Sequence, residues 1–446
     1  MKTPICDFVR DYAEQDVLRL HMPGHKGRSL LGMEARDITE IDGADVLYHS
    51  EGIIRQSENY AADLFDTART LYSTEGSSLA IRGMLYLALL YAKSQGVSPK
   101  IAAARNVHKT FMTAAALLDL EIDWLYPDGQ GTLLSCAVGA SVVEQYLSNV
   151  REKPVAVYLT SPDYLGNVQD IDEVAGVCHR YGVLLLVDNA HGAYLQFLPE
   201  SQHPIALGAD MCCDSAHKTL PVLTGGAYLH IAHRAPCLFA EHAEEALSVF
   251  ASTSPSYLIL QSLDAVNAYL ANGYREELVA FIAEVDALKG ELKRGGYMLC
   301  GNEPLKLTLA AKMYGYTGEE MASLLAQKGI VCEFSDPDYV VLMLTPQIGF
   351  DGLQRLKTAL FSISPRQPIV QPAPLTPRAA RTMTLREALF APSEECEVGR
   401  CVGRTLASAA VTCPPAIPIV TCGEQIDEDA VRCFDYYGIR TCRVVK

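Results

Sequence analysis

Short apolar runs alternate with amphipathic stretches through the middle of the chain. Continuous apolar runs at 100–104, 154–160 and 183–188 predict buried strands, and helix-like stretches lie between them. Such continuous runs are typical of parallel strands, which are covered on both faces. The repeated order of strand, helix and strand predicts a doubly wound α/β domain, in which ligands bind beyond the carboxyl ends of the strands.

Two regions flank this pattern. Residues 1–60 are polar and are expected to be irregular, apart from a 3.6-residue period that predicts a helix at 57–71. An apolar helical run follows at 80–93. Residues 236–290 are predicted to be mainly helical, with an interruption at 252–257.

A smaller α/β pattern begins at about residue 295. It comprises a strand at 305–310, a helix capped by Thr317 with Glu320 three residues on, strands at 331–334 and 340–345, and a helix at 351–361. Five prolines and the lack of any periodic pattern at 364–377 then predict a linker.

These patterns divide the chain into five predicted parts. They are an N-terminal segment (1–60), a large domain (61–290), a small α/β domain (291–363), a proline-rich linker (364–384) and a C-terminal α+β module (385–446). A chain of 446 residues exceeds the size of a usual single core, so more than one domain is expected.

Composition and charge narrow the class of protein. The formal net charge of -16 argues against a nucleic-acid partner, which requires a basic patch, and it suits a cationic substrate. The 14 cysteines are scattered with no Cys-x-x-Cys pair, so reduced thiols in a cytoplasmic protein are expected. The first residues lack the apolar core of a signal peptide, and no apolar run is long enough to span a bilayer, so no membrane partner is expected.

Lys218 is the first candidate for chemistry. It follows a short run that predicts a strand, and it precedes a Gly-rich apolar strand at 224–231. Burying an ammonium is costly unless it is paired or used chemically, which favours a Schiff base between Lys218 and a carbonyl cofactor. A surface lysine in a hairpin loop is the structural alternative.

Three further features lie at the ends of predicted strands or the starts of predicted helices. Asp188 ends a buried strand. Gly76, Ser77 and Ser78 begin a helix, where N–H groups, hydroxyls and the positive end of the helix dipole suit a phosphate. Plain N-capping explains the same three residues. His108 starts the helix after a strand, either as a residue that stacks on a cofactor ring or as an ordinary helix-end histidine.

Together these residues meet the needs of pyridoxal 5'-phosphate. This cofactor requires a lysine for its aldehyde, a carboxylate that keeps its ring nitrogen protonated and a hydrogen-bonding cradle for its phosphate. Lys218, Asp188 and the 76–78 turn fill these three roles in that order. Ser161 follows another predicted strand and is expected at the same edge of the sheet.

The chain resembles the bacterial ornithine/lysine/arginine decarboxylases through motifs along most of its length. They are Met22-Pro-Gly-His-Lys26, Asp37-Ile-Thr-Glu40, Arg105-Asn-Val-His-Lys109, Asp188-Asn-Ala-His-Gly192, Ser215-Ala-His-Lys-Thr219, Ser254-Pro-Ser-Tyr257, Arg386-Glu-Ala-Leu-Phe-Ala-Pro392 and Pro414-Pro-Ala-Ile-Pro418. The pairing of Asp-x-Ala-His-Gly with Ser-x-His-Lys is the specific part of the resemblance. It implies fold type I of the pyridoxal-phosphate-dependent transferases, a mostly parallel sheet between helices, with a C-terminal decarboxylase domain at 385–446.

By this resemblance the chain is expected to decarboxylate lysine, arginine or ornithine to the amine and CO2, a reaction of polyamine biosynthesis. The catalytic residues that it implies are Lys218, His217 and His108. The cofactor contacts that it implies are Gly76, Ser77, Ser78, His108, Ser161, Asp188, Ala190, His191, Ser215, His217 and Lys218. The family builds its active site at a subunit interface, so a homodimer with a shared active site is implied.

Two roles stay open at this point. Lys218 and His217 are both candidates for donating the proton that replaces CO2. Glu424 and Glu333 are candidates for binding the distal cation of the substrate, and each is equally well explained as an ordinary surface carboxylate.

The chain departs from the family pattern at three positions. The family usually has Glu where Asn189 stands, Gly where Ala416 stands and Pro where Cys422 stands. The loss of a charge at Asn189, beside the expected cofactor, is expected to alter substrate preference or rate.

Three other functions are weighed against this hypothesis. An aminotransferase typically clamps the substrate carboxylate with an arginine of the small domain, but Arg355 is the only arginine between residues 295 and 364. A catalytically silent homologue is the second alternative. The third is a metal site formed by Cys396, Cys401, Cys413, Cys422, Cys433 and Cys442, which irregular spacing and the lack of any histidine after His242 disfavour.

Overall fold

The structure is a computed structural model that describes residues 1–127, 134, 137–413 and 417–446. The first three residues of the predicted 414–418 motif, with the departure at Ala416, lie outside the described residues. The described chain forms two compact units. The first comprises Met1–Val97 and Leu184–Glu277, and the second comprises Ser98–Val183 and Leu278–Lys446.

Helices form at intervals along the whole of the described chain. In chain order they are α1 (Pro4–Glu14), α2 (Ile53–Phe65), α3 (Gly76–Gln95), α4 (Lys109–Leu118), α5 (Ala140–Asn149), α6 (Ile171–Arg180), α7 (Ala216–Thr219), α8 (Cys237–Ser248), α9 (Tyr257–Ala271), α10 (Tyr274–Arg294), α11 (Gly318–Ala326), α12 (Gly349–Phe361), α13 (Leu385–Phe390) and α14 (Glu428–Tyr436).

The strands of the described residues are short, with at most five residues each. In chain order they are β1 (Arg69–Ser73), β2 (Lys100–Ala104), β3 (Glu121–Leu125), β4 (Ala156–Thr160), β5 (Leu184–Asp188), β6 (Met211–Asp214), β7 (Ala227–Ile231), β8 (Leu299–Cys300), β9 (Lys306–Ala310), β10 (Phe334–Ser335), β11 (Tyr339–Met343), β12 (Ser393–Glu397), β13 (Ala410–Cys413), β14 (Ile417–Thr421) and β15 (Thr441–Val445).

The first unit contains the strand order β1-β7-β6-β5. β5 and β6 are parallel, with Asp188 opposite Cys213, whereas β7 is antiparallel to both β6 and β1. Every residue of β5 and β6 is buried, as their continuous apolar sequences predict. The apolar helix α3 packs on β6, β7 and α8. The parallel pair places Asp188 and the residues after Asp214 at one edge of this sheet.

The second unit contains two main sheets. β4, β2 and β3 are parallel, with Ile101 opposite both Ala156 and Ile122. β10, β11, β9 and β8 form an antiparallel sheet in that order. The remaining strands form two antiparallel pairs, β12 with β15 and β13 with β14.

The C-terminal residues share one hydrophobic core with earlier parts of the second unit. Ile419, Val420 and Phe434 are fully buried in the same cluster as Leu165 and Val341. The C-terminal module is therefore held by apolar contacts with the rest of its own unit.

Two predictions for the first unit were wrong. The predicted helix at 57–71 ends at Phe65, and Leu71 lies within β1. Thr70, Leu71 and Tyr72 are consecutive buried residues paired with β7, and a helix on a surface buries only one of its faces. Residues 1–60 are also less irregular than predicted, because Pro4 opens α1 and α1 buries Ile5 and Val9 one turn apart.

Two further predictions need smaller corrections. The strand predicted at 331–334 is limited to β10, because Val331 is 89% exposed and nothing buries its side chain. The helical region 236–290 is broken a second time after Ala271, where Gly273 has a φ of +84°. The capping box of Thr317 and Glu320 at α11 is confirmed.

The domain boundaries expected from the sequence stay predictions. Residues 364–380 form neither helix nor strand. In the part of the chain that the structure describes, no helix is long and apolar enough to cross a membrane.

Candidate active site

Asp188 is a buried carboxylate at the carboxyl end of β5, with only 3% of the residue exposed. Its Oδ1 accepts a hydrogen bond from the Ala190 N–H at 3.2 Å and a weaker one from the Cys213 S–H at 3.6 Å. These contacts orient the carboxylate at the sheet edge where the parallel β5–β6 pair ends. The strand-end position predicted from the sequence is therefore the position observed.

Lys218 lies in α7, the one-turn helix that follows β6. Its Nζ is 3.0 Å from Nε2 of His191, which lies in the turn after β5. Because an ammonium can only donate hydrogen bonds, Lys218 Nζ donates to His191 Nε2, which must be unprotonated in this contact. Lys218 and His191, predicted together from the sequence, are thus in direct contact.

The start of α3 forms the third part of the site. Gly76 has a φ of +71°, and a side chain placed there would meet no atom within 4 Å, so the space in front of it is open. The Ser215 hydroxyl donates to the Ser77 hydroxyl at 2.8 Å. The Gly76 N–H already donates to the Gly225 carbonyl, so it is the serines and the following helix dipole that offer an anion site at this position.

His217 has one ring nitrogen fixed by the backbone. Its Nδ1 lies 3.0 Å from the Gly226 carbonyl oxygen, which can only accept. Nδ1 therefore carries a proton, and in the neutral ring Nε2 is the nitrogen that accepts one. His217 is prepared for proton exchange at a single atom.

Asp214, His203 and His230 form a buried group in the first unit that the sequence did not suggest. All three are 0% exposed, and both imidazole Nε2 atoms face the same Asp214 oxygen. A signal was present, because Asp214 ends an apolar strand directly before Ser215 as Asp188 ends β5. His203 carried no such signal, since it lies in an irregular stretch.

His108 and Ser161 belong to the second unit. His108 is the N-cap of α4, where its Nδ1 accepts the Thr110 N–H at 3.2 Å. Ser161 follows β4, is 2% exposed, and accepts the Gln169 N–H on its hydroxyl at 3.0 Å. Both residues lie at a strand end or a helix start, as predicted from the sequence.

Glu424 and Glu333, the two candidates for the distal cation of the substrate, already have partners in the second unit. Glu424 Oε2 lies 2.8 Å from Arg105 Nη2, and both residues are 2% exposed. The same oxygen accepts the Thr421 N–H at 2.7 Å. Glu333 is exposed and accepts the Tyr164 hydroxyl at 2.9 Å. The ion pair with Arg105 accounts for the buried charge of Glu424, which removes the reason to assign it to substrate.

The fold is α/β, and Lys218, His191 and Asp188 lie where β5 and β6 end. Residues 3–301 match the family model described as "Orn/Lys/Arg decarboxylase, major domain". The chain therefore belongs to the Orn/Lys/Arg decarboxylase family, as the resemblance implied.

Full-length relatives agree with this assignment. An arginine decarboxylase of Halalkalibacterium halodurans is 29% identical over 96% of this chain and 91% of the relative. The uncharacterized protein YaaO of Bacillus subtilis is 28% identical over 97% of this chain and 93% of the relative.

A solved structure confirms the predicted fold class. Lysine decarboxylase A from Pseudomonas aeruginosa superposes with a TM-score of 0.81 at 16% identity, covering 99% of this chain and 80% of that chain. The fold is therefore fold type I of the pyridoxal-phosphate-dependent transferases.

Proposed function

We propose that this chain uses pyridoxal 5'-phosphate to decarboxylate a basic amino acid. The observation that carries the proposal is the grouping of Lys218, His191 and Asp188 where β5 and β6 end, in a member of this family. An amine for the aldehyde and a carboxylate for the ring nitrogen, both at one strand edge, are what this cofactor requires of a protein.

The residues of the first unit fit the cofactor. Asp188 is a carboxylate with little access to water, which suits a partner for a protonated ring nitrogen. The open space at Gly76 leaves room for a phosphate at the start of α3. Because Ser215 donates to Ser77, the Ser77 proton is left to be donated to a phosphate oxygen.

Asp188, Lys218 and His191 are proposed to have different roles in the reaction. When bound, pyridoxal phosphate supplies an electron sink for the electron pair left on the α-carbon as CO2 departs. With the cofactor bound, Asp188 would hold the proton on the ring nitrogen, and Lys218 Nζ would supply the amine for the aldehyde carbon. His191 Nε2 accepts from Lys218 and so fixes the position of Nζ.

Two groups are candidates for protonating the α-carbon after CO2 has left. Lys218 Nζ is one. His217 is the other, and the Gly226 carbonyl limits its proton exchange to Nε2. The contacts of His108, Ser161 and Ala190 with the cofactor are predictions from the resemblance.

The substrate is proposed to be arginine, lysine or ornithine. Arginine is the first to test, because a relative that matches over nearly its whole length bears the name arginine decarboxylase. A cytoplasmic location and a role in polyamine biosynthesis belong to the same proposal.

The homodimer with a shared active site is also part of this proposal. Its support is the N-terminal segment 16–36, which exposes seven large apolar side chains to solvent, namely Val17, Leu18, Leu20, Met22, Leu30, Leu31 and Met33. Exposed apolar side chains in one segment favour an interface with a second copy. The test is light scattering of the wild type and of the Leu30→Asp/Leu31→Asp double variant: a dimer that becomes a monomer supports the proposal, and a monomeric wild type contradicts it.

The function is tested with the purified protein and added pyridoxal phosphate. We expect a visible absorption band that borohydride removes, and release of CO2 with the matching amine from one of the three amino acids. A protein that binds the cofactor but releases keto acid is an aminotransferase. One that binds it and turns over none of the three is a silent homologue, and either result contradicts the proposal.

A further inference from the structure

Asp214 is another buried carboxylate of the first unit, and the proposed chemistry does not use it. Its Oδ1 accepts the amide N–H of Asn189 at 2.7 Å. Its Oδ2 lies 3.0 Å from His203 Nε2 and 3.2 Å from His230 Nε2. Three hydrogen-bond donors thus face the two oxygens of this carboxylate, as a buried charge requires.

The two imidazoles keep Asp214 ionised. Burial by itself raises the pKa of a carboxyl, but the two imidazoles more than offset this and hold the pKa of Asp214 well below its usual range. Burial lowers the pKa of His230, whose Nδ1 meets the Thr70 hydroxyl at 2.8 Å. Asp214 is therefore an ionised carboxylate held by hydrogen bonds in the core of the first unit.

Asn189 links this charge to the candidate active site. It is the residue directly after Asp188, and its backbone N–H donates to the Cys213 carbonyl at 3.0 Å. Its side-chain oxygen occupies the space where a side chain at Gly192 would stand, so residue 192 must be glycine for the amide to reach Asp214. Both ends of Asn189 are thus tied to β6.

The turn that Asn189 fixes carries two of the proposed cofactor residues. Asp188 precedes it, and His191, which contacts Lys218, follows two residues later. The Asn189 carbonyl also accepts the Gly192 N–H at 2.8 Å, which closes the turn. The hydrogen bonds of Asn189 therefore hold the backbone that carries both Asp188 and His191.

We propose that Asp214 is a positioning residue for the cofactor: through Asn189 it fixes the turn that carries Asp188 and His191, and so the place of the Asp188 carboxylate beside the ring nitrogen. This inference deepens the proposed function and rests on it.

A metal ion bound by His203, Asp214 and His230 is the alternative explanation for this cluster. The three ligand atoms of His203, Asp214 and His230 lie within 4.8 Å of one another. Their separations of 3.0 and 3.2 Å are those of N–H···O hydrogen bonds, and all three side chains are fully buried. The geometry favours hydrogen bonds, and metal analysis decides between the two.

The test uses Asp214→Asn, Asn189→Ala and the double variant, all prepared with pyridoxal phosphate. We expect each single variant to raise the cofactor Kd about tenfold, as loss of a hydrogen bond to a charged group does. The double variant is expected to be no weaker than the worse single one, because both changes cut the same contact. Nitrogen NMR of isotope-labelled cofactor is expected to show less ring-nitrogen protonation in Asp214→Asn.

Asp210→Asn is the matched control. Asp210 is a buried carboxylate just before β6, at the end of that strand away from Asn189, and it accepts the Leu185 N–H at 2.8 Å. Its substitution removes an equally buried charge and is expected to leave ring-nitrogen protonation unchanged and the cofactor Kd within about twofold.

Three outcomes would overturn the inference. They are an unchanged cofactor Kd and ring-nitrogen protonation in Asp214→Asn, additive losses in the double variant, and about one metal ion per chain that Asp214→Asn removes. Failure of the proposed function is different, because then the wild type itself neither binds the cofactor nor releases CO2.

Discussion

Two regions of the molecule are held in place by different kinds of contact. One is the turn of the first unit that carries Asp188 and His191. The other is the loop between β2 and α4 of the second unit, which contains Arg105 and His108. In the first unit, Asn189 meets Asp214 across 25 residues of sequence, and Lys218 meets His191 across 27. In the second unit, Arg105 follows β2 and meets Glu424 across 319 residues. The turn that carries Asp188 and His191 is held by residues 25 and 27 positions further along the chain, whereas the loop after β2 depends on the C-terminal module.

The two regions also neutralise buried charge differently. Asp214 is surrounded by an amide and two imidazoles, whereas Glu424 faces the guanidinium of Arg105. The first arrangement ties Asp214 to the turn after β5 through Asn189, and the second pairs a carboxylate with a guanidinium. We infer that the first arrangement positions the proposed cofactor residues and the second joins the C-terminal module to the β2–α4 loop.

The largest effect is expected from breaking the long-range ion pair between Arg105 and Glu424. Glu424→Ala leaves the Arg105 guanidinium buried without its partner carboxylate, and loss of one member of a buried pair costs about 3–5 kcal/mol. The free energy of unfolding from urea denaturation measures this cost. Glu333→Ala, which removes an exposed carboxylate, is the control and is expected to change stability by about 0.5 kcal/mol or less.

A loss below about 1 kcal/mol for Glu424→Ala would contradict the role given to the ion pair.

The next effect concerns catalysis in the first unit. Asp188→Asn keeps the shape of the side chain but removes the charge that holds a proton on the ring nitrogen. We expect kcat for the best substrate to fall by about 10²- to 10³-fold, the usual result of removing one preorganised electrostatic group. Steady-state rates of CO2 release measure it, and a variant with wild-type kcat would show that Asp188 has another role.

Glu58 provides a pH-dependent contrast with Asp214 inside the first unit. Burial raises the pKa of Glu58 from 4.5 to about 7, while that of Asp214 is lowered. The folded chain holds the Glu58 proton at a pH where the unfolded chain has lost it, so the free energy of unfolding falls as pH rises from 4.5 to about 7. Above that pH this contribution is constant.

Glu58→Gln is expected to remove a fall of about 3 kcal/mol over this pH range. Urea denaturation at several pH values checks the difference between the two proteins. Parallel stability curves for wild type and variant would contradict the raised pKa.

The smallest effect tests a local contact inside the second unit. Thr317→Ala removes the capping box at the start of α11, where Thr317 and Glu320 exchange hydrogen bonds. We expect a loss of about 1 kcal/mol in the free energy of unfolding. Thr384→Ala, which removes the matching capping box of α13, is expected to cost a similar amount. If Thr317→Ala lowered the free energy of unfolding as much as Glu424→Ala does, local contacts would not be weaker than long-range ones, and this comparison would be contradicted.

The same distinction explains what could be predicted from the sequence. Asp188, Lys218 and the Thr317 cap follow from local patterns, because an apolar run that ends in a polar residue marks a strand end and Thr-x-x-Glu marks a helix start. The apolar character of β5 also sufficed to predict a parallel sheet.

The failures arose where contacts are distant in sequence. The pairing of Leu71 with β7 overrides a local helical period, and no local feature of Glu424 indicates Arg105. The role of Asp214 was missed because Asp214, His203 and His230 come from three separate stretches that only the fold brings together.

Covalent trapping of the cofactor tests the central claim most directly. Wild type, Lys218→Ala and the exposed-lysine control Lys93→Ala are reduced with borohydride in the presence of pyridoxal phosphate, and peptides are then identified by mass spectrometry. We predict that the reduced cofactor is found on the Lys218 peptide of wild type and Lys93→Ala, and that Lys218→Ala carries none and releases no CO2 from arginine, lysine or ornithine. Attachment at another lysine, or full CO2 release by Lys218→Ala, would contradict the account.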